Sequence, residues 1–78
     1  MTTILVDTHY LIAIINRLDQ WHRPAVGILG KLGYPKLSVP ESVLVETLNY
    51  FADFRPEAKK HAAESVERFS ANLDVEVH

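Results

Sequence analysis

The chain opens with a short aliphatic run, Ile4-Leu5-Val6, breaks at Asp7-Thr8, and then repeats its apolar residues at Leu11, Ile12, Ile14, Ile15 and Leu18. An unbroken aliphatic run predicts a strand covered on both faces, as in a parallel sheet, and the change to a helical period predicts a helix directly behind it. Trp21, Ala25, Ile28, Leu29 and Leu32 lie on one face of a second helix, with Asp19 as a candidate cap. Pro24 requires this helix to begin shortly before it, and Gly33-Tyr34-Pro35 predicts its stop. Leu37 and Val39, between Pro35 and Pro40, suit a brief second strand over Lys36 to Val39.

From Glu41 to Phe54 the pattern predicts a third helix, with Val43, Leu44, Leu48, Phe51 and Ala52 on an apolar arc and Glu46, Asn49 and Asp53 opposite. Arg55-Pro56 ends it and starts a fourth, whose stripe is Ala58, Ala62, Val66 and Phe69 on an otherwise charged helix. After Asn72, a candidate helix stop, Leu73, Val75 and Val77 alternate with Asp74 and Glu76 as a half-buried strand would. The order is β-α-α-β-α-α-β. With no hairpin signal between strands, this predicts an α/β fold with about three parallel strands joined by right-handed helical crossovers. No repeat or linker divides the chain, so residues 1–78 read as a single domain.

Length tightens that picture. A chain of 78 residues, 47% hydrophobic, builds a thin core, because a domain of this size buries only about 60% of the surface its unfolded form exposes. The absence of cysteine excludes disulfide staples and thiolate metal sites, and a reducing cytoplasm is the expected compartment. The N-terminal apolar stretch is interrupted by Asp7 and His9 and lacks a basic start, which predicts neither a signal peptide nor a membrane span. A net charge of -2 argues against a generic basic nucleic-acid coat but is compatible with a nuclease whose basic residues line one groove.

Several site types are absent: there is no Gly-rich phosphate loop, no HExxH and no Gly-x-Ser-x-Gly elbow. His9, His22, His61 and His78 lack ligand spacing. Asp7-Thr8-His9 also lacks the second aspartate, two residues on, of a haloacid-dehalogenase-type site. Two acids remain. Asp7 falls where the first strand ends, the edge at which open α/β sheets bind ligands, and Glu46 lies inside the third helix. Each also has an ordinary explanation: Asp7 and Thr8 are favoured helix N-caps, and Glu46 suits a solvated helix face. Together they form an oxygen-only set of the kind that takes Mg²⁺ or Mn²⁺.

At this point the chain resembles the PIN domain family, in particular the VapC-type ribonuclease toxins of toxin-antitoxin pairs. The residues that carry the resemblance are ILVDTHYLIAII, DQWHRPAVGILGKL and LSVPESVLVETLNYF, in family-like order and separation. The resemblance implies a PIN-like fold and a metal-dependent endoribonuclease acting on RNA in the cytoplasm. Asp7 and Glu46 would be metal-binding carboxylates, Thr8 the hydroxyl residue beside the first acid, and an antitoxin protein a partner. Asp19 and His22 match an Asp-x-x-His pattern and are assigned structure rather than catalysis; His9 stands where the family often has Asn. The match covers the first half of such a domain, so the chain reads as truncated at its C-terminal end, with the family's third acid beyond it. Asp74 and Glu76 are not assigned that role. Arg17, Arg23 and Lys36 are candidate phosphate contacts.

A second expectation follows from the same departure: a catalytically incomplete PIN-like module that binds a partner protein or self-associates, using the Val66 and Phe69 face.

Overall fold

The computed structural model describes residues 3–33 and 35–78. Among them the elements are β1 (Thr3–Leu5), α1 (Thr8–Ile15), α2 (His22–Lys31), β2 (Lys36–Val39), α3 (Glu41–Tyr50), α4 (Pro56–Ala71) and β3 (Val75–Val77). The strands form one parallel sheet in the order β1-β2-β3, with Ile4 beside Leu37 and Leu37 beside Val75. The α/β fold and its β-α-α-β-α-α-β order are thus as the hydrophobic pattern predicts. Among the described residues, no helix is long and apolar enough to cross a membrane.

Both crossovers step in the same direction along the sheet, and right-handed connections of that kind put their helices on one face. Burial follows that geometry. Val6, Leu37 and Val39 are buried with Leu11, Ile12, Ile15, Val43, Phe51, Ala62 and Val66, and Ile4 and Val75 pack against this cluster. On the opposite face Thr3, Lys36 and Glu76 are exposed, as is Leu5 at 69%. The expectation that the first strand is covered on both faces is therefore incorrect for this chain: Leu5 has no helix above it because the helices all serve the other face. On that open face Ser38 Oγ and His78 Nε2 lie 2.7 Å apart.

Other element boundaries shift for local reasons. Helix α1 ends at Ile15, where Asn16 turns extended, so Leu18 falls outside it and is 93% exposed rather than part of the apolar stripe. Helix α3 stops at Tyr50 and not at Phe54. Phe51 is drawn into the core, packing edge-on against Phe54 with ring centroids 4.9 Å apart, and the chain reverses before Pro56, which occupies the first turn of α4. Asp53 lies in that turn, so it does not share a helical face with Glu46. Gly33, at φ +71, follows the C-cap Leu32 and supplies the left-handed position that closes α2; Tyr34, named in that stop signal, lies outside the described residues. Leu73 precedes β3 and is 97% exposed, so only Val75 and Val77 alternate on the strand.

Helix α4 does bury its Ala62 and Val66 stripe, and Phe69 packs on the same cluster. That face is part of the core and is not free for a partner, because α4 has to cover the sheet between α3 and β3.

Candidate active site at the carboxyl edge of the sheet

Strand β1 hands over to α1 within two residues. The Val6 N–H donates to the Ser38 carbonyl at 2.9 Å, continuing the ladder one residue past β1. Asp7 then has extended backbone and caps α1, its Oδ1 accepting from the Tyr10 N–H at 2.8 Å. The capping explanation for Asp7 is therefore correct, and it does not displace the other one. Capping occupies Oδ1 and holds the exposed carboxylate at the carboxyl edge of β1.

Glu46 arrives from the neighbouring helix. Val43 and Thr47 are the buried residues of α3, and the Thr47 hydroxyl donates to the Val43 carbonyl at 2.7 Å. With those two facing the core, Glu46 lies about 100° around the helix, at the rim of the α1–α3 contact. There the Thr8 hydroxyl donates to Glu46 Oε2 at 3.2 Å, across 38 positions of sequence. The structure thus brings Asp7, Thr8 and Glu46 to one place: Asp7 and Thr8 as chain neighbours at the start of α1, and Glu46 through the hydroxyl of Thr8.

The donor set is two carboxylates and a hydroxyl. Among the described residues, no group of three or more acidic, histidine or cysteine side chains could hold a metal ion. Two carboxylates still suit Mg²⁺ or Mn²⁺, since Mg²⁺ keeps several waters and is commonly held by one or two carboxylates together with substrate phosphate. The residues present therefore fit a hard divalent cation that shares its shell with water and phosphate, and do not form a closed protein cage.

The basic candidates separate. Lys36 begins β2 and so stands at the amino edge of the sheet, opposite Asp7. Arg17 follows the far end of α1 and lines a groove with His61 and Arg68. Neither belongs to the acidic site. Arg23 opens α2 between His22 and Pro24 and is exposed, next to the His22 ring that reaches the second half of α1.

Two bonds fasten α2 to α1. The Tyr10 hydroxyl donates to the Ala25 carbonyl at 2.7 Å, and burial pushes this phenol above its ordinary pKa. His22 Nδ1 lies 2.7 Å from the Ala13 carbonyl; a carbonyl oxygen only accepts, so Nδ1 is the protonated nitrogen. Asp19 Oδ1 accepts from the Trp21 N–H at 2.8 Å in the turn before α2. Asp19 and His22 are accordingly structural, although Asp19 shapes the turn and Trp21 holds the cap position.

Between these helices lies a pocket of about 410 Å³ that the apolar pattern does not predict. Ala13 and Ala25 leave the space; Trp21, Pro24 and Ile28 form one wall, and Asp7, His9 and Tyr10 the other. Helical spacing assigns Trp21 to the core, yet it is 61% exposed. The signal for the pocket is the pair of facing alanines, which becomes legible only once α1 and α2 are known to cross there.

No family model matches this chain, and neither does any curated protein or solved structure.

Proposed function

We propose that this chain is a PIN-type, Mg²⁺- or Mn²⁺-dependent endoribonuclease, the toxin of a toxin-antitoxin pair acting in the cytoplasm. The observation that supports this most is the Thr8–Glu46 hydrogen bond beside Asp7 at the carboxyl edge of β1. The packing of α1 against α3 brings these residues together across 38 positions of sequence, and it does so beside the capping carboxylate of Asp7.

Asp7 and Glu46 would hold the cation. When bound, it supplies activation of a water and offsets charge on the departing oxygen of an RNA phosphodiester. The work of the chain itself is positional. The cap bond from Tyr10 fixes Asp7, and the Thr8 hydroxyl donates a hydrogen bond to Glu46, which turns that carboxylate towards the same edge. The resulting negative patch repels a phosphodiester until a cation offsets it, so metal and substrate binding are coupled.

The deciding experiment is cleavage of a mixed RNA pool by the purified chain with Mn²⁺ and with chelator, beside Asp7→Asn and Glu46→Gln. The expected result is metal-dependent cleavage, reduced at least about 100-fold in either variant, a loss of roughly 2.7 kcal/mol in transition-state stabilisation. Asparagine caps as well as aspartate, so Asp7→Asn keeps its helix and the loss is chemical. Cleavage retained in both variants would reject the site.

A second reading, a module that binds a partner protein, is favoured by a different region. A groove of about 730 Å³ runs between the end of α1 and the start of α4, lined by Leu18, Phe51, Phe54, Ala58 and His61 among others. On this reading Leu18→Asp weakens capture of an antitoxin-type partner or of a second copy, while Asp7→Asn leaves it unchanged. Sedimentation of the chain alone and with partner distinguishes the two cases.

A further inference from the structure

The pocket between α1 and α2 shares Asp7 with the acidic site, while its other lining residues take no part in that site. Its walls are fixed by the two cross-helix bonds, Tyr10 to Ala25 and His22 to Ala13, so it is formed before any ligand arrives. One wall presents an indole that is 61% exposed, beside Pro24 and Ile28, and the rim on the acid side carries the imidazole of His9. An exposed aromatic side chain beside an open, mostly apolar depression, with a polar group at its edge, matches what an unstacked nucleobase requires: a flat surface to stack on and a partner for a base edge. At about 410 Å³ it is within the ordinary range for a small-molecule site.

We infer that this pocket receives one nucleobase of a single-stranded RNA, stacked on Trp21 with His9 at its edge, while an adjoining phosphate lies at Asp7 and Glu46. The inference rests on the ribonuclease reading and narrows its substrate to RNA with an unpaired base next to the scissile bond. A duplex keeps its bases stacked and cannot enter the slot.

Trp21 is the single tryptophan of the chain, so its fluorescence reports the pocket directly. The test titrates the full chain with single-stranded tetraribonucleotides of each base in Ca²⁺, and titrates Asp7→Asn in chelator, where one of the two charges that repel the phosphate is gone. Each is repeated with an abasic tetramer and a duplex. The expected result is saturable quenching by at least one intact tetramer and none by the abasic or duplex probes. Trp21→Ala should weaken binding of a labelled tetramer about 5- to 100-fold, and Trp21→Phe should restore most of it. Ile28→Asp, which puts a charge into the slot from an exposed position, should weaken binding without touching the core.

Equal quenching by intact and abasic RNA would overturn the inference, since phosphate alone would then account for binding. Quenching by no RNA would overturn it too, and would leave the slot to an apolar protein side chain. Metal-dependent cleavage of single-stranded RNA that is unchanged in Trp21→Ala would sink the base pocket and leave the nuclease intact. Base-dependent quenching without any cleavage would uphold the pocket and remove the nuclease.

Discussion

Helix α1 has two junctions, one with α3 and one with α2, and they are built on opposite principles. At the α3 junction the polar contact is one exposed bond between side chains, Thr8 to Glu46, over a base of buried aliphatic residues and Thr47. At the α2 junction Tyr10 and His22 each bond a backbone carbonyl of the other helix, both partly buried, and the space between is left by alanines. Exposed side-chain bonds contribute little to stability and leave their groups free to exchange partners, whereas partly buried bonds to main chain fix helix against helix. The first junction is suited to a carboxylate that must accept a cation, the second to a cavity that must stay open.

Residues shared by both junctions should show the largest effects. Leu11 is fully buried on α1, and Leu11→Ala should cost about 2–5 kcal/mol. A domain of this length has a total stability of roughly 4–12 kcal/mol, so this variant should unfold well below the wild-type midpoint in urea. If the loss is under 1 kcal/mol, α1 is not the common support that its burial indicates.

Next comes the α2 junction by itself. Tyr10→Phe keeps the ring but removes the bond to the Ala25 carbonyl, which keeps its own helical donor, an expected cost of about 0.5–1.5 kcal/mol, accompanied by a change in Trp21 emission as the pocket loosens. The same substitution should flatten an alkaline transition. Burial raises the Tyr10 pKa, so near and above pH 10 the folded chain holds a proton that the unfolded chain releases. Stability is therefore complete below about pH 10 and falls as pH rises through the folded value. Urea midpoints measured between pH 8 and pH 11 should fall more steeply in wild type than in Tyr10→Phe.

The smallest effect on stability should come from the α3 junction. Thr8→Val removes an exposed bond and should change the unfolding free energy by less than about 1 kcal/mol. Its effect should appear instead as weaker Mn²⁺ binding by calorimetry, because Glu46 loses the donor that orients it. A Thr8→Val chain with unaltered Mn²⁺ affinity would mean that the hydroxyl does not position Glu46 for a cation.

Much of this arrangement is legible along the chain. The change of period at Asp7-Thr8 marks a strand passing into a helix, and Pro56 and Asn72 bracket α4 as the structure has it. The Asp7 site is legible for the same reason: caps and strand ends are local, so neighbouring residues announce them. Glu46 is legible only as an acid on a helix. Its meeting with Thr8 depends on how α3 is rotated, and Thr47, a polar residue buried because its hydroxyl returns to the Val43 carbonyl, shifts that rotation away from the apolar arc through Leu48.

The order of strands and helices, the cap at Asp7 and the turn at Gly33 were determined by the sequence itself, since each depends on backbone preferences and hydrogen bonds within a few residues. The tertiary structure alone decided which apolar residues face inward. Leu5, Leu18 and Trp21 carry the same hydrophobic signal as Val6, Leu11 and Ala25, but Leu5 lies on the uncovered face of a sheet whose crossovers run one way, Leu18 falls past the end of α1 and Trp21 stands at the cap of α2. Hydrophobicity states how much burial would gain, while only the packing of helices against that face states where burial is available.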